Sequence, residues 1–146
     1  MKKIDYDNPW IYKDEPFTSE DIGENIGFVY LLTDPNGKKY VGKKLFVSKR
    51  KLPPLEGKTR RRTTISESDW KTYYGSNEEV QALVESNTHF KREILHLCKT
   101  KGELSYMELK EQVEREVLLR PDYFNGIIQV KIHASHVRNL KEDDED

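Results

Sequence analysis

The chain has 146 residues, with 25 Lys plus Arg against 26 Asp plus Glu and a formal net charge of −1, which is the size of one compact domain. Its single cysteine, Cys98, excludes an internal disulfide framework and a cysteine-built zinc site and suits a reducing compartment, so the expected location is the cytoplasm. No apolar run has the length of a signal-peptide core or a bilayer span, and a membrane is not expected as a partner.

Residues 1–26 are polar and punctuated by Pro9, Pro16 and Gly23, with Trp10, Tyr12 and Phe17 as apolar anchors; they are expected to form an N-terminal arm packed on the domain. From Gly27 to Gly42, alternation and β-branched or aromatic content predict two strands joined at Asp34-Pro35-Asn36-Gly37. Pro35 fixes φ near about −65°, which excludes a type I′ turn and fits a type I turn followed by a left-handed bulge at Gly37. Pairing Asp34 with Lys38 then sets Leu32 opposite Tyr40 and Tyr30 opposite Gly42. Both tyrosines fall on one face as diagonal neighbours, about 7–8 Å apart, with open space expected at Gly42.

A basic, turn-rich segment follows, residues 43–75. Lys38 to Arg62 contains Glu56 as its only acid, a local basic footprint on a chain of nearly neutral net charge. Pro53-Pro54 blocks a continuous helix, leaving an ordered excursion or a mobile loop. Ser76 with Glu79 reads as a capping box for a short helix over 77–86, and 90–98 as a strand. Ser105 with Glu108 reads as the cap of the longest helix, about 105–119, stopped by Arg120-Pro121. Ile128, Val130 and Ile132 alternate with polar residues after Asn125-Gly126 and predict a final strand. The main domain runs from 27 to 140, and 141–146, KEDDED, reads as an acidic disordered tail. The fold class is α+β: a small central antiparallel or mixed sheet, built from the N-terminal hairpin plus one or two further strands and flanked by helices.

Among the helical acids Glu108, Glu111, Glu114 and Glu116, a helical wheel places Glu114 between a main apolar stripe (Leu109, Val113, Val117) and a second one (Met107, Leu118). That is a costly setting for an unpartnered carboxylate, which singles out Glu114, with Glu111 as runner-up. In the basic segment Lys43, Lys44, Lys49, Lys51, Lys58, Arg60, Arg61 and Arg62 are candidates to track phosphates, with Trp70, Tyr73 and Tyr74 as stacking or wedge surfaces. His133 and His136 lack a third ligand for zinc.

The residues Phe28-Val29-Tyr30 followed one strand later by Tyr40-Val41-Gly42 resemble the two halves of the GIY-YIG motif, and the chain is similar to nucleases of that family from about Gly27 to Ile132. Phe28 stands where the family usually has the glycine of GIY, with Gly27 one place earlier. Arg50, ten positions after Tyr40, falls where the family places its arginine, while Glu114 and Asn125 resemble its acidic metal ligand and its asparagine. A further Tyr or His common after that arginine is replaced by Pro53-Pro54, leaving Tyr73, Tyr74 or a lysine for the role.

The segment Tyr73-Tyr74-Gly75-Ser76-Asn77 resembles small, phage-encoded, free-standing homing-type members. The resemblance implies a divalent-metal-dependent DNA endonuclease using one Mg²⁺ or Mn²⁺ ion. Tyr30 would help activate water, Tyr40 and Arg50 contact the scissile phosphate, Glu114 anchor the metal, and Asn125 tie the helix end to the strand. The partner would be DNA, with target choice coming from the basic segment, the arm, a homodimer or a separate specificity protein. The alternative is a noncatalytic nucleic-acid-binding module on the same scaffold; a third reading is a protein-interaction domain using the acidic tail.

Overall fold

The turn at Asp34-Pro35-Asn36-Gly37 closes as its residues dictate. The Gly37 amide donates to the Asp34 carbonyl at 3.0 Å and the Asp34 amide to the Lys38 carbonyl at 2.9 Å, with Gly37 left-handed at φ +88°. The Asp34 carboxylate accepts from the Asn36 and Lys38 amides at 2.9 and 2.8 Å, the side-chain mimicry that favours Asp at the first turn position.

The computed structural model describes residues 4, 6–138 and 140; the acidic stretch 141–146 lies outside them. In chain order the elements are β1 (Ile11–Tyr12), β2 (Glu15–Pro16), β3 (Gly27–Thr33), β4 (Lys39–Leu45), β5 (Val47–Leu52), β6 (Arg62–Glu67), α1 (Glu78–Glu85), β7 (Lys91–Cys98) and α2 (Lys101–Glu114). Five strands form one sheet in the order β2-β1-β7-β3-β4, and β5 pairs with β6 in a separate two-stranded ribbon. Within the larger sheet β1 meets β7 in parallel and the other pairs are antiparallel, so the fold is α+β with a mixed sheet. No helix among the described residues is long and apolar enough to cross a membrane.

The central strand β3 is buried on both faces. Phe28, Tyr30 and Leu32 point into an aromatic cluster with Trp10, Phe46 and Trp70, and Val29 and Leu31 point the other way, against Val41, Leu104 and Val117, the period-two alternation of a strand. Residues 6–17 join the first cluster through Trp10 and Phe17. Arg92 of β7 is buried between the rings of Trp10 and Tyr74, at 4.6 and 4.5 Å from their centroids. Its guanidinium donates to the carbonyls of Asn8, Lys71 and Tyr73, so the buried charge keeps its hydrogen bonds and ties residue 8 to the 70–74 segment.

Four local expectations are corrected. The cap of α1 is Asn77, whose Oδ1 accepts from the Val80 amide at 3.1 Å, rather than Ser76. Thr100, accepting from the Glu103 amide, starts α2 ahead of the expected position at Ser105. The helix stops at Glu114, well short of Pro121: Glu116 is left-handed at φ +55°, and the amides of Val117 and Glu116 return to the carbonyls of Gln112 and Val113. This is a Schellman closure with Val117 as its buried apolar contact.

Nor do residues 128–132 form a strand. The free edge of β4 is already engaged, because the Lys39 amide donates to Asp122 O and the Phe124 amide to Lys39 O, with Tyr123 bridged to Lys39. Beyond that point the chain leaves the edge and Ile127 is exposed.

Glutamate carries the left-handed penalty at position 116 that glycine avoids. Glu116→Gly should therefore raise stability by about 0.5–1 kcal/mol, read as a higher denaturant midpoint at unchanged slope.

Candidate active site

The site begins with the register of the β3–β4 hairpin: Tyr30 pairs with Gly42 and Leu32 with Tyr40. The two phenol rings share a face at a centroid separation of 6.3 Å. The position opposite Tyr30 is not empty. A Cβ added at Gly42 would sit 2.3 Å from the Tyr30 hydroxyl oxygen, so the tyrosine lies across its partner's bare backbone.

A second glycine closes the other side. Gly75, left-handed at φ +85°, packs so close that an added Cβ would come within 2.9 Å of the Tyr30 hydroxyl and 3.1 Å of the Tyr40 ring. Tyr73 meets Tyr30 edge-on at 6.1 Å. Three phenols, Tyr30, Tyr40 and Tyr73, thus gather around two glycines. Tyr74 turns away to stack near Arg92 and Phe90, and Trp70 is buried in the core, where its indole N–H reaches Glu67.

Burial, then the neighbouring Tyr40, Tyr73 and Glu108, push the Tyr30 phenol well above its usual pKa. Burial also raises Tyr40, partly offset by a hydrogen bond with Ser76 and reinforced by Glu108. Tyr30 is only 1% exposed. Tyr40 stands in front of it and lines a cleft of about 490 Å³ together with Ser76, Glu108, Gln112 and Asn125. At neutral pH both phenols are therefore protonated hydrogen-bond donors.

The half-buried acid in this cleft is Glu108, which the wheel argument passed over in favour of Glu114; Glu78 and Glu79 also line the cleft but are exposed. Along α2 the row facing the sheet is Leu104, Glu108 and Gln112, of which Leu104 and Gln112 are buried, one turn apart at each step. Desolvation raises the Glu108 pKa, opposed by Lys43, whose Nζ is 3.9 Å from Oε1 and 2.9 Å from Ser105 Oγ. Glu114 is exposed on the last turn, about 120° around the helix from Glu108. Val117 is buried, but Val113 is 58% and Leu118 49% exposed, so the stripes that were to flank Glu114 are not a continuous core face.

Glu111, the runner-up, is occupied elsewhere. Burial raises its pKa, but hydrogen bonds from Arg115 and His96, both at 2.8 Å, outweigh this and hold it low.

Asn125 is placed by the edge of β4. Its Oδ1 accepts from the Val41 amide at 3.0 Å and its Nδ2 donates to the Val41 carbonyl at 2.9 Å. The side-chain amide continues the ladder that the backbone of 122–124 begins at Lys39, and Gln112 adds a second donor to the Val41 carbonyl. This pins α2 and the 122–126 segment to the strand that carries Tyr40.

Arg50 does not join the group. It lies exposed on β5, paired with Thr64, and lines a different cleft with Lys44 and Lys49. Strand residues advance about 3.3 Å each, so ten positions of mostly extended chain carry it away from Tyr40. Lys43 is instead the cation beside Glu108. Lys44 sits 4.2 Å above the Tyr73 ring and 2.6 Å from Asp69. Lys49, Lys51, Lys58 and Arg60 to Arg62 are exposed on the ribbon and its tip.

Any side chain at position 42 must displace Tyr30 from both glycines. Gly42→Ala should cost about 1–3 kcal/mol, the usual range for overpacking, seen as a lowered melting temperature. Asn125→Asp replaces a donor by a charged acceptor facing the Val41 carbonyl and should destabilise at least as much as Asn125→Ala, which leaves buried backbone groups without that partner at about 1–3 kcal/mol.

Residues 10–128 match the family model described as "Putative endonuclease segE, GIY-YIG domain". No curated protein and no solved structure matches the chain. The match spans the tyrosine hairpin, the ribbon, α2 and Asn125, and the chain belongs to the GIY-YIG endonuclease family.

Proposed function

We propose that this chain is a divalent-metal-dependent DNA endonuclease whose phosphodiester hydrolysis takes place in the cleft between Tyr40 and Glu108. The observation that carries the reading is Glu108 itself, a carboxylate kept largely out of water beside the tyrosines. Its desolvation is unfavourable to the fold, as expected of a residue retained for chemistry rather than stability.

The donor set fits a hard, hydrated cation. Glu108 shares a polar cleft with Gln112 and Asn125, and Mg²⁺ or Mn²⁺ is commonly held by one or two carboxylates while water fills the remaining positions. Among the described residues no three of His, Cys, Asp or Glu come together; Glu108 would be the anchor on the enclosed side of the cleft, whose rim also carries the exposed Glu78 and Glu79. When bound, the ion would supply charge neutralisation on the phosphoryl oxygens and the departing alkoxide.

The chain's own groups do the rest. Tyr40 donates a hydrogen bond to a phosphate oxygen or to the incoming water, and Lys43 adds positive charge close to Glu108. Tyr30, protonated and wedged between Gly42 and Gly75, holds the positions of Tyr40 and Tyr73. The role first assigned to Arg50 at the scissile phosphate passes to Lys43. The resemblance to free-standing phage homing enzymes extends the reading to cleavage at a preferred target, which sequencing of ends cut from a random DNA library would reveal.

Glu108→Gln should abolish Mg²⁺-dependent nicking of supercoiled plasmid while the fold is retained, and Glu114→Ala should leave nicking intact. Full activity in Glu108→Gln would refute the assignment. Native protein that binds DNA but never nicks it with any divalent ion would favour the noncatalytic module instead.

Glu108 also makes a pH prediction. Its folded-state pKa lies above the unfolded value, so its protonated form stabilises the fold below the unfolded pKa, and that contribution is lost as pH rises through the folded pKa. Relative to Glu108→Gln, native stability should therefore decline across that window, as measured by denaturant unfolding at a series of pH values.

A further inference from the structure

The β5–β6 ribbon is the largest feature that the tyrosine cleft leaves unexplained. It pairs with itself through six consecutive residue pairs, from Val47↔Glu67 to Leu52↔Arg62, and among the described residues joins no other sheet. Nearly every residue from 48 to 67 is exposed, including Ile65 at 61%. An isolated two-stranded hairpin is marginal in water unless something packs against it, so a ribbon left bare needs either a firm root or a partner.

The root is present. Phe46 is fully buried in the aromatic cluster, its amide bonds to Ile26 O, and the Ser68 amide and hydroxyl bond to Phe46 O and Leu45 O. Both ends of the ribbon are thereby fixed to the sheet, while its body stands clear.

The charge on the free part is one-sided. Lys49 to Lys51, Lys58 and Arg60 to Arg62 carry it, and the two acids within 47–67 are Glu56 and Glu67. Glu67 is engaged by Ser19 and Trp70. None of those seven cations forms an ion pair among the described residues. At the ribbon's base a cleft of about 940 Å³ adds Lys44, Lys99 and Lys101 to Lys49 and Arg50, against the acids Glu67 and Asp69, the second of which pairs with Lys44 at 2.6 Å. Lys44 closes the row beside Tyr73. Cations thus run from the edge of the tyrosine cluster, through this cleft, to the ribbon tip.

We infer that the ribbon and the cleft at its base form a duplex-DNA grip, separate from the cleft in which the bond is cut, and that phosphates of the substrate flanking the cut lie along this cationic row. The inference rests on the nuclease reading for its partner. Six-residue strands reach about 20 Å, several phosphate spacings along a duplex, and a two-stranded ribbon has the width a major groove admits. Unpaired cations on both strands suit a polyanion with charges at regular intervals better than a compact acidic ligand.

The experiment is fluorescence anisotropy of a labelled 25-base-pair duplex with the full chain in EDTA, so that binding is read without cleavage. The ribbon-tip variant Lys58→Ser/Arg60→Ser/Arg61→Ser is compared with the charge-matched variant Lys13→Ser/Lys110→Ser/Lys131→Ser, all at exposed positions. Each lost phosphate contact removes about 0.9 from the slope of log affinity against log salt. The tip variant should thus be shallower by up to about 2.7 and bind at least tenfold more weakly at low salt than the control variant. Lys49→Ser/Arg50→Ser should lower affinity in the same way.

Equal slopes and affinities for the tip and control variants would overturn the inference. So would displacement of the duplex by polyglutamate as effectively as by unlabelled duplex of the same charge, which would point to an acidic polypeptide. A protein that never nicks DNA yet loses binding in the ribbon variants would sink the nuclease reading and leave the grip standing.

Discussion

A hydrogen atom in place of a side chain at Gly42 is the constraint on which the site depends. Tyr30 lies on the central strand, buried on both faces, and its hydroxyl end has nowhere to go except across the backbone of the neighbouring strand. That placement brings Tyr40 in front of it and lets Gly75 close from the far side. The hairpin register is in turn fixed by Pro35 and the left-handed Gly37; a slip of one residue would send Tyr40 to the opposite face of the sheet. Turn chemistry far from the cleft therefore decides which side chains meet in it.

The electrostatics follow from that packing. Enclosing three phenols beside α2 removes water from Glu108, and a low-dielectric surrounding strengthens every remaining charge interaction there. Lys43, anchored by Ser105, is the nearby compensation, and it lies just short of a close ion pair. Under the proposed reading, this partial compensation would leave the carboxylate able to take a further positive charge. The same enclosure keeps the tyrosines protonated, so they act as fixed donors. Their usefulness lies in orientation, and the two glycines supply it.

The hairpin was legible because its information is local: one proline, one glycine and period-two alternation determine turn, register and face. Asn125 was legible as a position, and its bond to the β4 edge explains why the chain then departs without forming the strand that Ile128, Val130 and Ile132 suggested. The acid was harder to read. Apolar periodicity normally marks the buried side of a helix, but the inward row of α2 contains Glu108 and Gln112, since it faces a polar cleft. Val113 and Leu118 are exposed instead, and the apolar pattern they belong to pointed to Glu114. A helix face turned to a polar cleft inverted the rule that finds core surfaces. Arg50 was misplaced for a different reason: spacing along a chain does not report distance until the conformation between the two residues is known, and here that conformation is extended.

The ribbon shows the same separation of roles at a larger scale. Chemistry and the holding of a long polyanion ask for different surfaces. Enclosure suits the first, because it orients donors and shifts the acid; exposure suits the second, because phosphate contacts operate through counterion release and need accessible cations. Rooting the exposed part at Phe46, which directly follows β4, and at Ser68, hydrogen-bonded to Phe46 and Leu45, ties the two surfaces to one strand. Tyr40 and the base of the ribbon lie at opposite ends of that strand, so under the proposed reading the length of β4 would set the distance between where a duplex is held and where it is cut.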